Sequence, residues 1–287
     1  MKAAETLARR GHDVVLVERE ERLGGQVSLI LRTPGRDEFG WLTRDLERQL
    51  DKLRVEVRLG TEATPELVRE LRPDGVIVAT GAAPSRTGFS TVNPLVEELP
   101  GVSQDNVLTV WDVLLETTPA GKRVVVLDDD GTRYAAGVTE VLLDRGCHVE
   151  LVSRWPALFP STLTTLDMAH LYARILGKGL SYRLNAWASA IAGDTVTTFN
   201  LYTGQQETLA GIDTVVLATG PKANEDLYLA LKGQVEPLHR IGDCVAPRKL
   251  DHAIYEGYLA GRELFSPEER YIYEGELERW EDATVPV

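Results

Sequence analysis

Arg10-Gly11-His12-Asp13-Val14-Val15-Leu16-Val17 returns later in the chain as Arg145-Gly146-Cys147-His148-Val149-Glu150-Leu151-Val152. In both stretches a helix is stopped by a glycine free to adopt the left-handed conformation, and a strand rich in β-branched residues follows at once. A second pair repeats at nearly the same offset: Asp74-Gly75-Val76-Ile77-Val78-Ala79-Thr80-Gly81 and Asp213-Thr214-Val215-Val216-Leu217-Ala218-Thr219-Gly220. Each has the near-continuous apolar run of a buried parallel strand and ends in a tight glycine turn. Two pairs in the same order imply two copies of one unit. The fold expected is therefore α/β, two nested Rossmann-type lobes with parallel sheets flanked by helices.

Outward from these strands, a helix tail is expected over residues 1–10 and a helix over 37–53, where Phe39, Leu42, Leu46 and Leu50 recur at helical spacing. Strands are expected at Val55–Leu59, Lys122–Leu127 and Val149–Val152, with a helix over Ala136–Asp144. The stretch 196–217 has the pattern of a β-hairpin turning near Thr203-Gly204, and Asp251–Glu263 that of a helix.

The bulk properties narrow the class. The chain has 287 residues, 43% hydrophobic and 26% charged, enough for two ordinary α/β domains with real cores. A net charge of -13 argues against nucleic acid or an anionic membrane as partner, because both demand basic surface. No apolar run approaches the roughly 20 residues that span a bilayer. Cys147 and Cys244 supply neither a disulfide framework nor a four-ligand metal site, so no metal is expected and the cytoplasm is the expected compartment.

Dinucleotide binding needs a strand, a glycine-rich turn against the pyrophosphate, a helix N-terminus, and an acidic residue about 20 positions on for the ribose. Glu18 stands where that carboxylate belongs, directly after the strand Val14–Val17. The residues ahead of it are helical, so the first strand and glycine-rich loop are missing from the stretch at hand. A solvated charge at a strand end is the alternative reading of Glu18.

Glu18-Arg19, then Leu23-Gly24-Gly25-Gln26, then Thr33-Pro34-Gly35-Arg36-Asp37-Glu38-Phe39, together resemble the FAD or ADP domain of one family. It includes 2,4-dienoyl-CoA reductase and trimethylamine dehydrogenase, the NADH:flavin oxidoreductases related to old yellow enzyme. Val78-Ala79-Thr80-Gly81 and Ile241-Gly242-Asp243-Cys244-Val245-Ala246-Pro247-Arg248 are similar to two further motifs of that family. The resemblance implies cofactor contacts from Glu18, Arg19, Gly25, Gln26, Ala79, Thr80, Gly81, Gly242 and Asp243. Asp243 would meet the pyrophosphate and sugar-alcohol end of the ligand. The family's longer members also carry an FMN barrel with an iron–sulfur cluster. A missing N-terminal region or a partner chain would have to supply both, since no cysteine cluster here can hold iron–sulfur.

The second copy departs from this pattern. After Val124–Leu127 the chain runs Asp128-Asp129-Asp130-Gly131-Thr132-Arg133, replacing all three glycines of Gly-x-Gly-x-x-Gly, two of them by aspartates. Carboxylates repel a pyrophosphate, and β-carbons block the close backbone approach that glycine permits. Ser153-Arg154 follows the next strand, where Arg154 is either a 2′-phosphate contact or a surface charge. NAD(P)H is therefore doubtful.

The expected division is an FAD or ADP lobe from residues 1–110 and 222–265, an inserted degenerate NAD(P)-type lobe over 120–221, and a polar acidic tail over 266–287. The expected function is the nucleotide-binding part of a flavin-dependent oxidoreductase, an amine dehydrogenase or N-demethylase or else an enoate reductase. No catalytic residue is assigned. Expected partners are an FMN/iron–sulfur barrel domain or subunit and an electron-transfer flavoprotein. The alternative is a non-catalytic scaffold with a vestigial nucleotide site.

Overall fold

The computed structural model describes residues 1–265, so the acidic tail expected over 266–287 lies outside the described residues. Contacts divide the chain into two units: the first holds residues 1–25, 41–82 and 223 onward, the second 26–40 and 83–222. Along the chain run α1 (Lys2–Arg9), β1 (Val15–Val17), β2 (Glu56–Arg58), β3 (Val76–Val78), β4 (Val107–Thr109), β5 (Arg123–Asp128), α2 (Arg133–Asp144) and β6 (His148–Ser153). They are followed by α3 (Met168–Gly177), β7 (Ser181–Arg183), β8 (Ala186–Ala192), β9 (Thr195–Asn200), β10 (Gln206–Ala210), β11 (Thr214–Ala218), β12 (Leu238–Arg240) and α4 (Leu250–Glu263). The helix expected over 37–53 is found as Phe39–Lys52.

In the second unit a five-stranded parallel sheet has the order β4-β11-β5-β6-β7. The middles of its central strands are near-continuous apolar runs, Val124–Leu127 and Val215–Ala218, because both faces are covered. Val124, Val126 and Leu151 pack under α2 and α3, with Phe159 and Ile175. Val125, Leu127, Val152 and Val215 face the antiparallel sheet β10-β9-β8, with Trp187 and Val196. The hairpin expected over 196–217 is present as β9 and β10, while β8 had no clear signal in its alternating small residues.

The first unit has two parallel pairs, β1 with β2 and β3 with β12. Here α1 lies against α4 through glycines: a Cβ on Gly261 would come 2.6 Å from Thr6, and one on Gly257 3.2 Å from the Ala3 nitrogen. Arg10 adds hydrogen bonds to the carbonyls of Gly261 and Leu264, at 2.8 and 2.7 Å.

The repeat extends to individual hydrogen bonds. Gly11 (φ +88°) and Gly146 (φ +74°) both end their helices left-handed. The His12 N–H donates to the Leu7 carbonyl at 3.2 Å and the Cys147 N–H to the Leu142 carbonyl at 3.0 Å, the same closing bond in each copy.

The boundaries differ from those expected. Residues 26–40 and 83–110 belong to the second unit, not to the lobe of residues 1–110. Leu29 is buried in the second unit's core, Arg36 binds Asp167 at 2.6 Å, and Thr33 packs so closely that a Cβ on Gly137 would lie 2.6 Å from it. Val107–Thr109 hydrogen-bonds to β11 and is an edge strand of that sheet.

Candidate functional site

In a parallel sheet ligands gather at the carboxyl ends of the strands. The first unit places most of the expected residues at such ends. Glu18 follows β1, Ala79-Thr80-Gly81 follow β3, and Gly242-Asp243 come two residues after β12. Gly25 and Gln26 are the exceptions among the nine: Gly25 stands eight residues past β1, and Gln26 opens the segment 26–40 of the second unit.

Local bonds set each group. The Glu20 N–H donates to one Glu18 carboxylate oxygen at 3.0 Å, which fixes the side chain beside its own strand end. Arg19 is turned toward Glu20, 3.3 Å away. Gly25 has φ +51° and open space where a Cβ would point, so backbone can be approached there; Gly24 (φ +113°) is backed instead by Thr43. The Thr80 hydroxyl donates to the Asn224 carbonyl at 2.5 Å, and Gly81 (φ +72°) completes the turn. Gly242 (φ +67°) opens a short 3-10 turn over Gly242–Cys244, and the N–H of Arg248, four residues past that turn, donates to the Asp243 carboxylate at 3.0 Å.

Two neighbours complete the turn, of which Glu256 was not legible in the sequence. Glu256, on α4, accepts the Gly242 N–H at 2.6 Å and also pairs with Arg248. Cys244 is fully buried, its thiol directed at the carbonyls of Val78 and Ile241. Burial pushes that thiol upward from its ordinary value, which agrees with a packing residue.

The corresponding turn of the second unit is closed on itself. The N–H groups of Asp129 and Asp130 both donate to the Ala218 carbonyl (3.1 and 3.3 Å), and that of Gly131 donates to the Asp128 carboxylate at 2.7 Å. The amides that would cradle a pyrophosphate are thus already used. Arg154 is no surface charge: it binds the Asp129 carboxylate at 2.8 Å and its carbonyl at 3.0 Å. Its guanidinium lies 4.1 Å from the Trp155 ring centroid, and the indole N–H also donates to the Asp129 carbonyl, at 2.9 Å. A Cβ on Gly131 would sit 2.5 Å from that indole nitrogen, so the ring fills the space over the turn.

The three aspartates sit differently within this closed turn. Asp128 is fully buried between the Gly131 N–H and the Ser153 hydroxyl (3.1 Å), and Asp129 also accepts from Ser90. Burial is the main cause that pushes the Asp128 carboxyl up to about 7, with the charges of Asp130 and Asp129 adding to it. Burial raises Asp129 and Asp130 as well.

Among the described residues no group of three or more His, Cys, Asp or Glu could hold a metal ion. None of their helices is long and apolar enough to cross a membrane.

Residues 1–256 match the family model for pyridine nucleotide-disulphide oxidoreductases, and the chain belongs to that family. Its relatives include the N,N-dimethylglycine/sarcosine dehydrogenase of Chromohalobacter salexigens, 30% identical over 89% of this chain and 41% of the relative. The structure of histamine dehydrogenase from Rhizobium sp. 4-9 superposes with a TM-score of 0.87 at 28% identity, covering 94% of this chain and 43% of the other. That of the 6-hydroxypseudooxynicotine amine oxidase from Pseudomonas geniculata N1 gives 0.88 at 30%, over 92% and 40%. The chain thus spans about 41% of the length of the dehydrogenase it matches.

Proposed function

We propose that the first unit holds FAD, or ADP alone, as the nucleotide-binding part of a flavin-dependent oxidoreductase of the amine dehydrogenase or N-demethylase type. The observation that carries this is the set of left-handed glycine turns at Gly81 and Gly242 and of carboxylates, Glu18 and Asp243, near the ends of the first unit's strands, with open space at Gly25. Glu18 would bind the adenosine ribose through its free oxygen. Asp243, with Gly242, would face the pyrophosphate and, in FAD, the sugar-alcohol chain. The names of the relatives support amine or N-methyl substrates, and the closed second turn leaves NAD(P)H no phosphate cradle. An FMN/iron–sulfur barrel, an electron-transfer flavoprotein as acceptor, and a cytoplasmic location complete the proposal.

Calorimetric titration of FAD and of ADP tests it on three variants. Glu18→Ala and Asp243→Ala should each weaken binding about 10- to 150-fold, the equivalent of roughly 1.5–3 kcal/mol for a charged hydrogen-bonding group. His170→Ala, on an exposed position of α3, should leave binding unchanged. Equal affinity of FAD and ADP would assign this unit to adenine nucleotide alone. Unchanged binding in both carboxylate variants would show that the site lies elsewhere.

A further inference from the structure

We propose that Glu256 and Arg248 form a charge-balanced clasp on the Gly242-Asp243 turn. Glu256 is the positioning residue that orders the turn, and Arg248 cancels the negative charge that Glu256 brings beside a pyrophosphate. The proposal rests on the nucleotide reading given above.

The turn has little regular structure of its own. Only Gly242–Cys244 are in a 3-10 turn, and the next helix, α4, begins at Leu250. Gly242 is left-handed, and a Cβ on it would lie 3.6 Å from that of Ala253. Ala253 and Glu256 are three residues apart and share a face of α4, so the turn is seated over that face.

Four bonds then tie the segment down. The Gly242 N–H donates to one Glu256 carboxylate oxygen at 2.6 Å. The other Glu256 oxygen pairs with the Arg248 guanidinium. The Arg248 Nε donates to the Ala246 carbonyl at 3.1 Å, and the Arg248 backbone N–H donates to the Asp243 carboxylate at 3.0 Å. Both ends of the stretch from Gly242 to Arg248 are thus held to α4 through one carboxylate.

That choice of anchor has an electrostatic cost. The N–H of a left-handed turn is a common anion-binding group, and here a protein carboxylate already occupies it. An unbalanced charge at Glu256 would repel a pyrophosphate brought to the same turn. The Glu256 and Arg248 side chains are only 21% and 29% exposed, so solvent screens the pair incompletely. The cation is also in place beforehand, because the Ala246 carbonyl fixes the guanidinium. A neutral acceptor such as glutamine could hold the Gly242 amide equally well. The need for Arg248 therefore exists only while residue 256 carries a charge, and a residue that merely stiffened the loop would show no such dependence.

Two measurements on the full chain test this: hydrogen exchange at the Gly242 amide without ligand, and calorimetric titration of ADP at low and at high salt. Glu256→Ala should speed Gly242 exchange at least about tenfold, the scale of one lost charge-assisted bond, whereas Glu256→Gln should keep the protection. Arg248→Met should leave that exchange close to the parent's. It should nevertheless weaken ADP at least about tenfold at low salt, and by a smaller factor at about 0.5 M salt, where the charge effect is screened. Glu256→Gln alone should not weaken ADP, and adding it to Arg248→Met should restore most of the lost affinity.

A double variant that binds ADP no tighter than Arg248→Met would overturn the proposal. So would an Arg248→Met loss that is the same at both salt concentrations, or Gly242 exchange unaffected by Glu256→Ala. Should Glu256→Ala fail to fold, the Arg248→Met and double variants still decide it. Any of these results in a chain whose parent binds ADP refutes the clasp alone. A parent that binds neither ADP nor FAD refutes the nucleotide reading and the clasp with it.

Discussion

Replacing Asp128 by asparagine should make the second unit more stable at alkaline pH and leave it nearly unchanged at acid pH. Asp128 is 0% exposed and its carboxyl is pushed up to about 7 in the fold, against an ordinary value of 3.8. The sign follows from linkage: the folded state keeps a proton that the unfolded chain has lost. Stability is therefore highest below the unfolded value and falls as pH rises toward 7, by about 1.36 kcal/mol per pH unit. Between pH 5.5 and 7 the loss from this one group is on the order of 2 kcal/mol. Asparagine has the same shape, carries no charge, accepts the Gly131 N–H through its oxygen and donates to Ser153 through its nitrogen. The Asp128→Asn variant should lose most of the downward slope while Asp129 and Asp130 retain a remainder. Urea unfolding at intervals from pH 5.5 to 8, followed by tryptophan fluorescence, measures it, since Trp155 and Trp187 both lie in this unit. An Asn variant with the same slope as the parent, or one less stable at pH 8, would refute the assignment of a protonated Asp128.

Other outcomes follow from the same geometry. Gly101→Ala should cost about 3 kcal/mol or more, since a left-handed alanine is strained by roughly 1–2 kcal/mol and its Cβ (φ +85°) would fall 1.8 Å from the Ile191 carbonyl oxygen; denaturant unfolding measures this. Arg154→Ala should destabilise by about 1–3 kcal/mol by leaving the Asp129 carboxylate without its cation, and calorimetry should register a lower Tm. Neither NADH nor NADPH should bind at micromolar concentration, as read from nicotinamide fluorescence. Micromolar binding abolished by Arg154→Ala would mean that the turn opens around a nucleotide.

The parts of the fold legible in the sequence are those governed by local rules. Gly11 and Gly146 terminate helices because only a residue without Cβ adopts their φ cheaply, and such signals survive in any context. The apolar runs at Val124–Leu127 and Val215–Leu217 identify strands covered on both faces. The unit boundaries were not legible, because the membership of residues 26–40 and 83–110 depends on tertiary choices. Leu29 could have been buried in either unit, and nothing adjacent to Arg36 announces Asp167 as its partner. The same holds for the sites. Asp128-Asp129-Asp130 showed that the glycine turn had changed, but Trp155 as its cover and Arg154 as its counter-ion needed the folded chain. Glu256 stands 14 residues beyond the Gly242 amide it accepts, a pairing that no spacing rule picks out.

The glycine-mediated contact of α1 with α4 has a consequence for how the molecule is made. Ala3 and Gly261 touch across nearly the whole length of the chain, so α1 leaves the ribosome long before its packing partner exists. At roughly 5–20 residues per second the delay is on the order of 10–50 seconds. Residues 83–222, by contrast, emerge without interruption and contain all five strands of the larger sheet. The middle stretch of the chain is therefore expected to fold before the first unit is complete. The leading helix, with Ala3, Ala4 and Leu7 uncovered, would wait as a substrate for chaperones until Gly257 and Gly261 arrive. Crowding that contact, for example by Gly261→Leu, should therefore reduce the yield of folded chains from synthesis, beyond any loss in the stability of those that do fold.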